Sequence, residues 1–160
     1  MHSKVAAALE AAQTPYDIRR HADLGVPIRG PNDFAQALGY PLERITKALL
    51  LRCAHAATYA LALCSVNKKV NMALIAARLG CKRVELASHA ELREALDYPP
   101  TGVSPLGADP IPVFMDEALL HFPTILIGAG VPGVEIELSP ERLKEIAAAV
   151  VLPLSGSSAQ

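Results

Sequence analysis

The chain has 160 residues, of which 51% are hydrophobic and 19% charged, and its formal net charge at pH 7 is −1. This length suits one domain with its own hydrophobic core, and the composition excludes a disordered chain. The longest apolar stretches are interrupted by Arg, His or Asn before they reach the roughly 18 residues of a membrane-spanning helix.

The N-terminal segment SKVAAALEAAQ, residues 3–13, predicts an amphipathic helix, because Val5 and Leu9 lie four positions apart. Its short alanine-rich run contains Glu10 and no credible cleavage site, which argues against a signal peptide. A cytoplasmic protein is therefore expected. The segment YDIRRH, residues 16–21, alternates as a strand does.

The next segments are more apolar. PNDFAQALG, residues 31–39, predicts a helix that begins at an Asn or Asp cap and ends at Gly39. The continuous apolar runs at residues 44–53 and 58–66 predict two neighbouring strands that are buried on both faces.

Helices and short strands alternate in the second half of the chain. Residues 71–80 and 88–97 predict two helices, and Ser88 with Glu91 has the spacing of a capping box in the second of them. Three short strands and a last helix, opened by a Ser-Pro pair, are then expected at residues 111–116, 124–130, 134–138 and 139–150.

This order of elements predicts the α+β class, as a single domain with a mixed, partly antiparallel β-sheet core flanked by helices. The domain is expected to span residues 1–152. The small and polar residues 153–160 then predict a flexible C-terminal tail.

The charges are unevenly distributed along the chain. Between Arg44 and Arg93 there are nine Lys or Arg residues and two acidic ones, Glu85 and Glu91. A basic third of this kind can present a local positive field to a polyanion. It can equally be a solvated surface whose charges are balanced by neighbours in space, and the sequence leaves both interpretations open.

The cysteines and histidines give no metal site. Cys53, Cys64 and Cys81 have no ligand spacing, and reduced, buried thiols are expected for them. The histidines share no ligand spacing either, and no Ser–His–Asp arrangement can be argued. Neither a metal nor a cofactor is predicted.

The loop TGVSPLG, residues 101–107, combines two glycines, a proline and a serine without any charge. Gly102 and Gly107 allow backbone conformations closed to other residues, and Pro105 removes one donor from any strand ladder. The remaining N–H groups could donate to a carbonyl or an oxyanion. On composition alone, however, an ordinary turn between a helix and a strand explains the segment.

Lys47 is the one charged residue between Ile45 and the apolar run that follows it. An unpaired ammonium on a buried strand costs several kcal/mol in desolvation, so it needs an anion nearby, either a carboxylate of the protein or a ligand. The alternative is a lysine at a strand end that reaches water.

A second glycine cluster, IGAGVPG at residues 127–133, is followed by a strand and not by a helix. It therefore does not match a nucleotide-binding fingerprint, and a hairpin turn explains it. Asp116 is expected to cap the N-terminus of a helix, and a role as a ligand group comes second to this.

Taken in order, these segments resemble the YbaK/prolyl-tRNA synthetase-associated editing domain family. The resemblance covers about residues 14–150. It rests on ITKALLL, then the segment from YALALCSVNKKV to VELAS, then GVSPLG, IPVFMD and IGAGVPGVEIEL. The most specific parts are the lysine in its apolar strand and the GVSPLG loop downstream.

The resemblance implies a metal-independent deacylase that acts in trans on mischarged tRNA, tRNA(Pro) types above all, with prolyl-tRNA synthetase as a possible partner and no duplex DNA. Lys47 would be the residue on which activity depends. The residues implied around the aminoacyl group are His21, Ile45, Gly102, Val103, Ser104, Pro105, Gly107, Gly128, Gly130 and Gly133. Lys68, Lys69, Lys82 and Arg83 would then contact tRNA phosphates, on the view that the basic third binds RNA.

Two departures from the family pattern affect the pocket. Thr101 stands where close relatives often have a glycine, and Gly128 stands where they have a serine. The histidine that alanine-clearing relatives carry in that region is absent. These positions leave the amino acid open, and they also leave open a module of the same fold that binds aminoacyl-tRNA or a nucleotide without cleaving it. A nucleic-acid-binding regulator lacks a suitable recognition helix and aromatic residues.

Overall fold

Two β-sheets form the framework of the fold, and a computed structural model describes residues 1–155 of the chain. The helices are α1 (Ser3–Ala12), α2 (Pro31–Leu38), α3 (Met72–Leu79), α4 (His89–Leu96) and α5 (Pro140–Ile146). The strands are β1 (Asp17–Arg20), β2 (Thr46–Cys53), β3 (Tyr59–Ser65), β4 (Val84–Leu86), β5 (Val113–Asp116), β6 (Ile125–Gly128), β7 (Val134–Leu138) and β8 (Val150–Leu152).

The larger sheet is mixed and has the strand order β4-β2-β3-β5-β8. Strand β2 is antiparallel to both β3 and β4, whereas β3, β5 and β8 run parallel to one another. The smaller sheet is antiparallel, in the order β1-β7-β6. The predicted α+β class with a mixed, partly antiparallel sheet is confirmed.

The two sheets meet where β2 begins. Ile45 and Leu126 form an isolated parallel bridge, and the Thr46 hydroxyl donates a hydrogen bond of 2.7 Å to the Leu126 carbonyl. The Ile45 carbonyl in turn accepts from the N–H of Val66, just beyond β3. The start of β2 is thereby fixed to both sheets.

Apolar residues cover both faces of the larger sheet. Leu50 and Leu61 belong to a core shared with α1, α4 and α5, whereas Leu51 and Ala60 face a second core with α3. Burial on both faces is thus correct for β3 and for the second half of β2. Residues 46–49 are only half-buried, because a cleft lies against them.

The capping box of α4 is present, with Ser88 and Glu91 bonded reciprocally. The predicted Asn or Asp cap of α2 is wrong, because Gly30 is the N-cap and makes no side-chain bond. The prediction for Asp116 is also wrong in part: Asp116 precedes a short 3₁₀ helix, but its buried carboxylate accepts from Ser155 and makes no capping hydrogen bond.

Two short strands, β4 and β8, were not predicted. The last helix ends at Ile146 and not at residue 150, because Ala148 has a positive φ of 49° and the chain turns there into β8. Within the predicted tail, Leu154 is fully buried and its carbonyl accepts a 2.7 Å hydrogen bond from the N–H of Asn71. The rest of that tail, residues 156–160, lies outside the described residues.

The expectation of three reduced cysteines is wrong. Cys53 and Cys81 form a disulfide, because β4 pairs with the end of β2 and brings their Cα atoms to 6.1 Å. Cys64 is a free, buried thiol, and burial raises its pKa to about 11, although the charge of Lys47 acts in the opposite direction. None of the helices within residues 1–155 has the length and apolar character of a membrane span.

Candidate functional site

A cleft of about 370 Å³ opens where the two sheets meet, which is within the size range of small-molecule sites. It lies between α2, the start of β2, the loop after α4 and the smaller sheet. The lining residues are His21, Gly30, Pro31, Phe34, 45–49, Val66, 100–103, Gly128 and 133–135.

The fold brings several of the sequence-predicted site residues into this cleft, although they are far apart in the chain. Those that line it are His21, Ile45, Lys47, Gly102, Val103, Gly128 and Gly133. Four other predicted residues do not line it, namely Ser104, Pro105, Gly107 and Gly130. The four basic residues predicted to bind tRNA also lie outside the cleft.

Lys47 is a half-buried residue on the first half of β2, paired in register with Cys64 of β3. Among the residues that the structure describes, no carboxylate forms an ion pair with its ammonium, and no hydrogen bond to it is present. The walls around it are largely apolar or uncharged. The site therefore presents one unneutralised cation to whatever enters the cleft.

The two glycine-rich segments of the sequence pack directly against each other. A Cβ atom at Gly128 would lie 2.3 Å from the Val103 carbonyl oxygen, and one at Gly102 would lie 2.4 Å from the Val131 carbonyl oxygen. The N–H of Gly130 donates a 2.7 Å hydrogen bond to the Gly102 carbonyl. No side chain fits at either close approach, so this wall of the cleft is a rigid backbone surface.

The remaining loop residues support that wall from behind. Ser104 is fully buried, and its hydroxyl oxygen accepts a 3.2 Å hydrogen bond from the N–H of Leu106. The Leu106 carbonyl accepts from the hydroxyl of Tyr98. Gly107 has a φ of +72°, and a Cβ there would lie 2.8 Å from the Lys4 Cβ. These contacts fix the loop between α4 and β5.

The loop also has unused donors at the cleft. Gly102 and Val103 both line it, and within residues 1–155 neither backbone N–H donates a hydrogen bond. Such groups are available to a carbonyl oxygen or an oxyanion of a ligand.

Glu135 on β7 is a cleft residue that the sequence analysis missed. Its Oε2 lies 2.7 Å from Nε2 of His21, and its side chain is 15% exposed. Burial raises the pKa of Glu135, while the hydrogen bond to His21 acts in the opposite direction. The alternation in VEIEL could have revealed it, since that pattern places two acids on one face of a strand whose other face is apolar.

The second of these acids, Glu137, belongs to a closed structural network. It is 5% exposed and accepts hydrogen bonds from Arg19 (2.8 Å), Tyr40 (2.8 Å), Arg44 (3.2 Å) and Thr124 (2.5 Å). The network connects β1, through Arg19, and the residue before β6, Thr124, to Glu137 on β7. It also includes Arg44, which lies just before β2.

The four predicted tRNA contacts are exposed and form two pairs. Lys68 and Lys69 follow β3, only two and three residues beyond the cleft residue Val66. Lys82 and Arg83 precede β4 near the opposite end of β2, roughly 23 Å away along an eight-residue strand. No cluster of metal-ligating side chains is present within residues 1–155.

Comparison with known proteins places this geometry in a family. Residues 26–146 match the model of the aminoacyl-tRNA editing domain, so the chain belongs to the aminoacyl-tRNA editing domain family. This confirms the resemblance identified from the sequence.

Individual relatives are more distant. Over 110 residues the chain is 28% identical to a protein of Enterococcus faecalis named "Putative Cys-tRNA(Pro)/Cys-tRNA(Cys) deacylase EbsC", and the match covers 68% of this chain and 66% of that protein. A crystal structure titled as that of a putative trans-editing enzyme for prolyl tRNA synthetase superposes with a TM-score of 0.80 at 23% identity, over 98% and 99% of the two chains. The crystal structure of hypothetical protein APE2540 gives 0.83 at 26% identity, over 96% and 100%.

Proposed function

We propose that the chain hydrolyses, in trans, the ester that joins a wrong amino acid to the terminal ribose of a tRNA, with tRNA(Pro)-type substrates. The observation that supports this best is the unpaired Lys47 ammonium in a largely apolar cleft that is also lined by Gly102 and Val103, whose N–H groups donate no hydrogen bond within residues 1–155. In an aminoacyl-tRNA, the phosphates of the RNA end would be partners for the Lys47 ammonium, and the ester carbonyl oxygen would be an acceptor for the two N–H groups.

Hydrolysis of an aminoacyl ester needs little further activation by the protein, because the ester bond is already reactive. Water adds to the carbonyl carbon, the tetrahedral oxyanion forms, and the bond to the ribose oxygen breaks as that oxygen takes a proton. Donors placed at the oxyanion lower the barrier by roughly 2.7–4 kcal/mol each. Lys47 contributes positive charge and positioning, and the neighbouring ribose hydroxyl orients or deprotonates the water.

The body of the tRNA lies outside a cleft of this size. Lys68 and Lys69 stand beside the cleft and would contact phosphates near the acceptor end, whereas Lys82 and Arg83 would contact phosphates farther away. Contacts of this kind add affinity without reading sequence and weaken as salt is added.

The names of relatives guide the choice of substrate. The Enterococcus faecalis protein is named for cysteine on tRNA(Pro) and tRNA(Cys), and one structural neighbour is titled for prolyl-tRNA synthetase. Cysteinyl-tRNA(Pro) is therefore the first substrate to test, followed by alanyl, seryl and threonyl esters. Prolyl-tRNA synthetase is the first partner to add.

The test compares Lys47→Ala with Lys144→Ala, which removes an exposed lysine on α5. We expect Lys47→Ala to reduce deacylation of the best substrate by about 100-fold or more, with an unchanged unfolding transition, and Lys144→Ala to behave as wild type. Equal rates for Lys47→Ala and wild type would remove Lys47 from the mechanism. Absence of deacylation by the wild-type protein across the panel would refute the hydrolase.

A non-catalytic module is the second candidate. It is favoured by two departures from the family pattern that line the cleft, Thr101 in place of a glycine and Gly128 in place of a serine. Tight binding of aminoacyl-tRNA without turnover would support this module.

A further inference from the structure

Glu135 is the only acidic side chain among the described residues that line the cleft, and Lys47 is the only lysine or arginine. The proposed mechanism uses Lys47 and the loop donors, and it gives no role to a carboxylate. A half-enclosed acid beside largely apolar walls is costly to keep unless it meets a positive charge.

The hydrogen bonding of Glu135 is incomplete on the side of its second oxygen. His21 bonds to Oε2 at 2.7 Å, and within residues 1–155 no group bonds to Oε1. Glu137, two residues along the same strand, has both oxygens engaged by four side chains. One oxygen of Glu135 is thus left available to a ligand, which is not true of its neighbour.

The positions of the two charges follow from the strand order. The Ile45–Leu126 bridge links the start of β2 to β6, and Lys47 and Gly128 each lie two residues beyond it. Gly128 pairs in register with Glu135 of β7. The glycine therefore separates a strand that carries the cation from a strand that carries the anion, and the cleft has a positive side and a negative side.

An aminoacyl ester has a matching polarity. Its α-ammonium group is a cation one carbon away from the ester carbonyl, and the nucleotide on the other side of the ester is anionic. Lys47 would repel the ammonium and attract the nucleotide, whereas a carboxylate oxygen is the usual partner of an ammonium. Accordingly, and on the basis of the function proposed above, we propose that Glu135 binds the α-ammonium of the aminoacyl group and makes the site selective for esters with a free amine.

The test uses ligands that cannot be hydrolysed, so that it does not depend on turnover. They are adenosines with alanine, serine or cysteine joined to the ribose through a 3′-amide, and each is paired with the α-hydroxy acid analogue of the same size. Affinities are measured by calorimetry for wild type, for Glu135→Gln and for Glu141→Gln, which neutralises an exposed acid on α5 as the charge control.

For the tightest-binding amino acid, we expect wild type and Glu141→Gln to prefer the amine over the hydroxyl by roughly 10- to 100-fold, the range for a hydrogen bond to a charged group. Glu135→Gln should reduce this preference to about twofold while binding of the hydroxy analogue is retained. The proposal is overturned if wild type binds both analogues alike, if it binds no amine analogue, or if Glu135→Gln keeps the preference.

Failure of the proposed function would look different. A wild-type protein that binds the amine analogues selectively but hydrolyses none of the mischarged tRNAs would support the role of Glu135 and refute the hydrolase. Hydrolysis of aminoacyl-tRNA and of its α-hydroxyacyl counterpart at equal rates would support the hydrolase and overturn the role of Glu135.

Discussion

Glu135 and Glu137 lie two residues apart on the same face of β7, yet one opens to the cleft and the other is closed into the protein. Within residues 1–155, His21 is the one side chain bonded to Glu135, whereas Glu137 is bonded to four. Their pKa values are shifted in opposite directions. We therefore assign Glu135 to ligand binding and Glu137 to the stability of the fold.

Glu137 is expected to contribute to the stability of the fold. Burial opposes ionisation, but hydrogen bonds from Thr124, Tyr40 and Arg19 hold the pKa of Glu137 below its usual value. Replacing it as Glu137→Gln leaves these buried partners without their charge and should lower the free energy of unfolding by about 3 kcal/mol. Urea denaturation at neutral pH measures this loss. A loss below the experimental error would show that the network is dispensable.

The same residue predicts an acid dependence. Because its pKa is lower in the folded than in the unfolded state, its contribution is fully present above the unfolded pKa of about 4.3 and is lost as pH falls through the folded value. The difference in stability between wild type and Glu137→Gln should therefore shrink below about pH 4. A difference that stays constant down to pH 3 would contradict this assignment.

Glu135 should behave in the opposite way. Burial raises its pKa, so folding disfavours the ionised form and the charge costs stability at neutral pH. Glu135→Gln should unfold at the same urea concentration as wild type or a higher one. The gain should vanish as pH falls below the unfolded pKa, where both states carry the protonated acid. A clear loss of stability at pH 7 would instead indicate a structural role.

Gly128 provides a test of the packed glycine wall. A methyl group there would meet the carbonyl oxygens of Val103 and Gly102 at 2.3 and 2.6 Å, so Gly128→Ala should cost about 1–3 kcal/mol and displace the loop. Gly30 also lines the cleft but has open space around the corresponding position and an extended backbone, so Gly30→Ala is the matched control with a small effect. Thermal unfolding of the two variants distinguishes them, and equal midpoints would show that the loop yields freely.

The basic residues predict a salt dependence of tRNA binding. If Lys68 and Lys82 each neutralise a phosphate, removing either should reduce the slope of log affinity against log salt by about 0.7–0.9. The control is Lys144→Ala on α5, which should leave the slope unchanged. Filter binding at four salt concentrations measures it. A slope identical in all variants would place the tRNA elsewhere on the protein.

The sequence was most informative where a residue type conflicts with its surroundings. Lys47 in an apolar strand and Gly102 in the loop of residues 101–107 stand out in this way, and both line the cleft. Local spacing was enough for the capping box of α4. Ser104 and Gly107 look equivalent to Gly102 in the sequence, but only the packing of the loop reveals which of them line the cleft.

The features that could not be predicted from the sequence depend on contacts between residues far apart in the chain. From the sequence alone, Glu135 would be interpreted as a solvated residue of a strand. Its partner His21 lies 114 positions earlier and comes beside it only because β1 pairs with β7. Cys53 and Cys81 meet because β4 adds to the edge of β2, and β4 is too short to be predicted. Strand β8 is similarly short and forms because β5 offers it a parallel edge.

The bridge between Ile45 and Leu126 has a consequence for how such a site could change its selectivity. The cation belongs to one sheet and the anion to the other, and this seam sets their spacing. Altering Thr46, whose hydroxyl ties the two strands together and which itself lines the cleft, would change this spacing while Lys47, Glu135 and the loop donors stay the same. Selectivity for larger or smaller amino acids could thus evolve through changes at the contact between the two sheets, while Lys47 and Glu135 stay the same.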